Sequence, residues 1–205
     1  MSSQDFSSLS SLRQRLEPLI LRDRQQLKRR LAGIEKVKNP RDRAEITSRI
    51  EQEISDAETR LSLRVASAPQ QIEFPENLPV SQKQQEIAAA IRDHQVVIIA
   101  GETGSGKTTQ IPKICLALGR GNRGLIGHTQ PRRLAARTVA TRIAEEMKSP
   151  LGDYVGYKVR FNDQVSDNTR VKPNTDGLLL DEIPQDTLFL QLVPLILADT
   201  HVMRP

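Results

Sequence analysis

Gly101-Glu102-Thr103-Gly104-Ser105-Gly106-Lys107-Thr108-Thr109 follows directly on the apolar run Val96-Val97-Ile98-Ile99-Ala100. The order is that of a phosphate-binding loop, G-x-x-x-x-G-K-[ST], entered from a buried strand and left through a helix. Gly101, Gly104 and Gly106 let the backbone turn tightly enough for several N–H groups to point at one concavity. Those donors and the N-terminus of the next helix suit phosphate oxygens. Lys107 has the reach for β- and γ-phosphates, and Thr108 has the hydroxyl that ligates Mg²⁺ in such loops. An accidental glycine-rich turn has no need of Lys and Thr at those two places. The stretch predicts a nucleoside-triphosphate site.

Gln95–Ala100 reads as a buried strand. Ser81 is the expected N-cap of a helix reaching Ile91, with Gln84 as capping-box partner. After the loop, a helix is expected from Lys107 to about Leu118, then a short strand over Leu125–His128 with Gly127 inside it. A helix over Leu134–Met147 should turn Ala135, Val139 and Ile143 inward. Val155–Phe161 alternates enough for another strand, and Leu178–Leu180, Leu188–Leu192 and Leu195–Ala198 are the remaining apolar pieces. Strands alternating with helices of this length predict an α/β fold: a mainly parallel sheet with helices on both faces.

Pro69, Pro75 and Pro79 punctuate a polar stretch, so residues 67–80 read as a linker and 81–205 as a separate domain. Residues 1–66 read as a helical hairpin. Leu12, Leu16, Leu19, Ile20, Leu27, Leu31 and Ile34 make one stripe, with Pro18 expected to break or bend it. Lys38-Asn39-Pro40 supplies the turn, and Ile46, Ile50, Ile54, Ala57, Leu61 and Val65 make the second stripe. Between the stripes lie charged faces, read either as ordinary solvated surface or as a basic face for RNA or the ribosome.

The 205 residues are 37% apolar and 27% charged, with six aromatic residues and no Trp, which suggests long solvated helices around a modest core. A net charge of +5 favours polyanionic partners only weakly. Cys115 stands alone, which excludes an intrachain disulfide and a thiolate zinc cluster. The polar N-terminus lacks a signal-peptide stretch, and no run is long and apolar enough for a membrane span. A cytoplasmic chain without membrane partners is expected.

The loop has company. Gly101 to Gln110 closely resembles motif I of the DEAH-box RNA helicases. Thr129-Gln130-Pro131-Arg132-Arg133, followed by Ala135-Ala136-Arg137, looks like their motif Ia, and Thr175-Asp176-Gly177 sits where that family has motif Ib. Gly156-Tyr157-Lys158-Val159-Arg160-Phe161 resembles the segment between. Leu21-Arg22-Asp23-Arg24 and Lys36-Val37-Lys38-Asn39-Pro40 look, more narrowly, like bacterial HrpA-type helicases. The resemblance implies a RecA-like P-loop NTPase domain that uses ATP and Mg²⁺ and acts on single-stranded or structured RNA. It implies nucleotide contacts from Gly101, Glu102, Thr103, Gly104, Ser105, Gly106, Lys107, Thr108 and Thr109, with Arg142 packing on the adenine. Lys107 and Thr108 would act on triphosphate and metal. Thr129, Pro131, Arg132, Arg133, Thr175 and Asp176 would contact the RNA backbone, and two adjacent Arg at a strand end suit phosphate.

The family's motif II, Asp-Glu-Ala-His, falls here on Ala198-Asp199-Thr200-His201. Ala198 replaces the metal-organising carboxylate, and Asp199 is a degenerate, one-methylene-shorter version of the water-orienting Glu. Pro173 and Asn174 stand where the family has apolar residues, and Pro194 falls inside an expected strand, which a Pro fits poorly. The expectation is an N-terminal fragment with an incomplete first RecA-like domain, catalytically inactive alone. The alternatives of another class are a non-enzymatic RNA- or ribosome-binding module built on the hairpin, and a truncated product without function.

Overall fold

The computed structural model describes residues 3–69, 71–160, 162–175, 177 and 196–198. The chain divides into two compact units, Met1–Ala68 and Pro69–Pro205.

The first unit is three helices, α1 (Ser3–Leu16), α2 (Leu21–Ile34) and α3 (Pro40–Ala66). Pro18 breaks the first stripe outright: α1 ends ahead of it and α2 begins after Ile20, so the expected hairpin gains a helix. Asn39 caps α3, its Oδ1 accepting from the Arg41 N–H at 3.0 Å, and Pro40 occupies the first turn, where its missing donor costs nothing. Leu12, Leu16, Leu19, Leu27, Leu31, Ile34, Ile50, Ile54 and Ala57 are the buried core. Each of these Leu and Ile side chains contributes roughly 1.5–3 kcal/mol before the cost of ordering it. The second stripe fades at its end, where Val65 is exposed.

Arginines of this unit face its own acids. Arg15 makes a two-pronged bond to Glu58 at 2.9 and 2.7 Å, which raises the Arg15 pKa and lowers that of Glu58. Arg13 pairs with Glu35, Arg30 with Glu53, and Arg60 with Asp23. Much of the basic face is thus internally balanced.

The second unit holds a five-stranded sheet in the order β3-β2-β4-β1-β5. The strands are β1 (Ile126–Gln130), β2 (Tyr157–Val159), β3 (Asn162–Gln164), β4 (Val171–Thr175) and β5 (Ile196–Ala198). β1 runs parallel to β4 and β5, and β2 runs parallel to β4, while the β2–β3 pair is antiparallel, so the sheet is mixed. The helices are α4 (Pro79–Gln82), α5 (Gln84–Asp93), α6 (Lys107–Ala117) and α7 (Arg133–Glu146). Pro112 removes one donor from α6 without ending it, because Ile114, Cys115 and Leu116 beyond it are buried. These pack with Ile126, Ala140, Ile143, Val155, Tyr157 and Val171 into one core.

Several expectations are corrected. The buried strand over Gln95–Ala100 is not in the sheet: Val96 is 77% and Ile98 91% exposed, while Val97 and Ile99 lie against the core. The period-two pattern is real, but a strand also needs a neighbour, and no described strand pairs with this segment. Ser81 caps nothing. Pro79 starts a separate turn of helix, and Lys83 precedes α5 with no side-chain cap. On α7 the inward residues are Ala136, Ala140, Ile143 and Ala144, with Ala135 and Val139 only half-buried, a rotation of about one position. Residues 71–80, read as linker, contribute Ile72, Phe74 and Val80 to the core of the second unit.

β4 carries Pro173 at the middle of the sheet, and the ladder shows how. The Val171 N–H donates to Tyr154 O at 3.1 Å and Val171 O accepts from the Gly156 N–H at 3.0 Å, whereas Arg170 O accepts from the Ile126 N–H at 2.6 Å. Odd positions therefore face β2 and even ones β1. The missing donor of Pro173 points to the β2 side, where the named strands share one registered pair, Lys158 with Asn174. The five-residue pairing with β1 is untouched. The expected apolar pieces within 178–195 lie outside the described residues.

Candidate nucleotide and nucleic-acid site

The phosphate loop bridges the extended segment and α6. Gly104 and Gly106 have φ of +87° and +92°, values that strain any residue with a Cβ. A Cβ at Gly101 would sit 3.2 Å from Ser105 Oγ and 3.7 Å from Lys107 Nζ, so the missing side chain leaves the concavity open. The loop is anchored to α4 by Val80, whose N–H donates to Ser105 O at 3.2 Å.

Lys107 curls over this concavity. Its Nζ donates to Gly101 O at 2.6 Å, Glu102 O at 2.8 Å and Ser105 Oγ at 3.3 Å. All three acceptors are neutral oxygens, so among the described residues the ammonium charge is held by dipoles and paired with no carboxylate. An anion offered there gains a charge-assisted partner already aimed at the loop. Glu102, Thr103 and Gly104 are exposed; Thr108 and Thr109 are half-buried in the first turn of α6.

A cluster that the sequence did not announce lies behind the loop. Lys113, 1% exposed, donates from Nζ to Gln110 Oε1 at 3.0 Å and Glu146 Oε2 at 2.9 Å, and sits 5.0 Å from the centre of the Phe74 ring. Gln110 Nε2 donates to the same Glu146 oxygen at 2.9 Å, and Arg142 Nε to Glu146 Oε1 at 2.9 Å. Burial pushes the Glu146 carboxyl up, but bonds from Gln110, Lys113 and Arg142 and the Lys113 charge outweigh it, and the net shift is down. The available signal was spacing: Gln110 and Lys113 share one helix face, as do Arg142 and Glu146.

Residues expected to meet RNA gather at one end of the sheet. β1 and β4 run in register to Gln130 and Thr175, and Arg132 and Arg133 follow β1 into α7. Pro131, Arg132, Arg133 and Leu134 are exposed; Thr129 is buried within β1 and flanked by Asn174 and Ala198. Asp176 and Asp199 lie outside the described residues. Thr108 offers a hydroxyl for Mg²⁺, whereas Ala198 has no ligand atom to add. The donor set fits a metal carried in by a triphosphate better than one held by the protein.

Residues 7–65 match the family described as the HrpA N-terminal alpha helical hairpin binding domain. The chain is 59% identical over 201 residues to the ATP-dependent RNA helicase HrpA of Escherichia coli, covering 98% of this chain and 15% of that protein. It is 52% identical over 191 residues to the HrpA homolog of Haemophilus influenzae, covering 93% of this chain and again 15% of that protein. A crystal structure of the E. coli DEAH/RHA helicase HrpB superposes with a TM-score of 0.54 at 37% identity, over 60% of this chain and 16% of that one.

By sequence and by structural likeness the chain is similar to DEAH/RHA RNA helicases, and it spans about 15% of the length of the HrpA relatives it matches. The helical unit that precedes the loop is the part that matches the HrpA N-terminal hairpin domain. No described helix is long and apolar enough to cross a membrane.

Proposed function

We propose that the second unit, Pro69–Pro205, is part of a first RecA-like, ATP-binding domain of an ATP-dependent RNA helicase, and that the helical unit Met1–Ala68 is a separate domain ahead of it. The observation that carries this reading is Lys107, folded over the loop with its Nζ on the oxygens of Gly101, Glu102 and Ser105 and on no described carboxylate. Gly101 to Gly106 would wrap the triphosphate with backbone N–H groups, Lys107 would bind the β- and γ-phosphates, and Thr108 would hold Mg²⁺. Thr109 would close the loop from below, and Arg142 would pack on the adenine face. Bound Mg²⁺ would supply charge neutralisation between the phosphates. Pro131, Arg132, Arg133 and Thr175 would hold an RNA backbone, a contact indifferent to base sequence; Asp176 would join them as the resemblance implies, and Thr129, buried in β1, would support them from within the strand.

The 205 residues alone would bind nucleotide without helicase-like turnover. Ala198 gives the metal no carboxylate, and Asp199 falls a methylene short of a water-orienting Glu. A fluorescent ATP analogue titrated against the chain and against Lys107→Ala tests the binding. A loss of roughly tenfold or more is expected from removing one charge-assisted phosphate contact; equal affinity would sink the assignment. A second reading, an RNA- or ribosome-binding role for the hairpin, draws on its membership of a family described as a binding domain. Binding to RNA by residues 1–68 with no response to nucleotide would favour it.

A further inference from the structure

Gln110 and Lys113 on α6 meet Arg142 and Glu146 on α7 in a hydrogen-bonded cluster that nucleotide chemistry at the loop does not by itself require. Arg142 is 62% exposed, and a long guanidinium side chain on an open helix face loses much rotamer freedom when it is held in one place. Here its Nε is fixed by Glu146, 12% exposed, whose other oxygen is fixed from the neighbouring helix by Gln110 and Lys113. Gln110 is tied in turn to the loop, its N–H donating to Gly106 O at 2.8 Å. An unbroken set of bonds thus runs from a loop glycine to the guanidinium of Arg142.

We propose that Glu146 is a positioning residue for adenine nucleotides, presetting Arg142 at a fixed distance and angle from the phosphate loop through Gln110 and Lys113. The inference rests on the reading of the loop and of Arg142 as a nucleotide site. It adds that base and phosphate recognition share one rigid element built from two helices. Preorganisation of this kind raises affinity by removing the cost of ordering the side chain on binding. It acts only on ligands that have a base to meet.

The test measures binding of ATP and of inorganic tripolyphosphate by calorimetry to the full 205-residue chain, to Arg142→Ala, to Glu146→Gln and to the double variant. Glu146→Gln should weaken ATP roughly three- to thirtyfold, the span of a cation–π contact, and leave tripolyphosphate unchanged. The double variant should be no weaker than Arg142→Ala alone, because a residue that acts through another adds nothing once that other is gone. A purely structural role would weaken both ligands together, or add to the Arg142→Ala loss, and either result overturns the proposal. If Arg142→Ala leaves ATP binding intact, the adenine reading falls and the proposal with it. If Arg142→Ala weakens ATP and Glu146→Gln does not, the proposal alone falls. Should Glu146→Gln unfold by stripping buried Lys113 of its carboxylate, Lys113→Met/Glu146→Gln removes both charges and takes the same comparison.

Discussion

Gln130 and Thr175 stand opposite one another as the last registered pair of the parallel strands β1 and β4. Because the strands run the same way, both chains leave the sheet on the same side, and Arg132 and Arg133 depart from there into α7. Two arginines and a threonine are thereby carried to the same end of the sheet from positions more than forty residues apart in sequence.

Arg132→Ala/Arg133→Ala should weaken binding to single-stranded RNA and flatten its salt dependence. Each phosphate neutralised on a single strand contributes roughly 0.7 to the slope of log K against log salt. Loss of both contacts should lower the slope by about one or slightly more. Fluorescence anisotropy across a salt series decides it; an unchanged slope removes the pair from the interface.

The two left-handed loop glycines should differ in what they tolerate. Gly104→Ala, whose Cβ meets open space, should cost roughly 1 kcal/mol of backbone strain. Gly106→Ala adds a Cβ only 3.0 Å from Leu78 Cδ1 and 3.1 Å from Gln110 Cγ, and the total should reach about 2–3 kcal/mol. Urea unfolding of the two variants should rank them in that order, and equal costs would show that the close approach relaxes freely.

Lys113→Ala should destabilise the second unit by about 2–4 kcal/mol, since it leaves a mostly buried carboxylate short of its cation. The pH dependence has a definite sign. The Glu146 carboxyl is held below the usual range, so its stabilising contribution is complete above that range and disappears as pH falls through the lowered value. Removing Lys113 raises the carboxyl, and acid unfolding should begin at higher pH. Circular dichroism along an acid titration checks the direction; an unmoved onset would show that the pair contributes nothing to folding.

Phosphate release from ATP by the 205 residues should match that of Lys107→Ala, with or without single-stranded RNA. A misplaced catalytic carboxylate costs on the order of 10²-fold, and the absent carboxylate at Ala198 should cost more. RNA-stimulated turnover of about one per second, well inside the ordinary enzyme range, would show that the substitutions in motif II were overvalued.

Cys115 is fully buried and burial pushes its thiol to about 12. It should stay silent toward Ellman's reagent at neutral pH in the folded chain and react stoichiometrically in denaturant. Fast labelling of the native protein would mean that α6 opens locally far more easily than its packing implies.

Legibility in the sequence followed the locality of the forces. The hairpin stripes were readable because Leu12 to Ile34 and Ile50 to Ala57 repeat at helical spacing, and Pro18 marked its own break. The loop was readable because Gly104, Gly106 and Lys107 satisfy a backbone demand within a few residues. β3 was not, since Asn162-Asp163-Gln164 has no apolar residue and exists by pairing with β2. β4 escaped because Lys172, Pro173 and Asn174 look like a turn, and only the ladder geometry shows which side the proline disables. The Glu146 cluster joins two helices, and the spacing within either one carries only half of its signal.

The segment that leads into the phosphate loop has consequences for any measured affinity. Val96 to Ala100 makes no ladder pairing with the described strands, so the loop's entry angle is set by Val97 and Ile99 against the core and by the tie from Val80 to Ser105. A ligand that requires one loop shape selects the molecules that already have it, and the apparent dissociation constant is the intrinsic one divided by that fraction. Nucleotide affinity therefore doubles as a gauge of strand order. On the proposed reading of the loop, a further strand paired with residues 96–100 would tighten nucleotide without touching it.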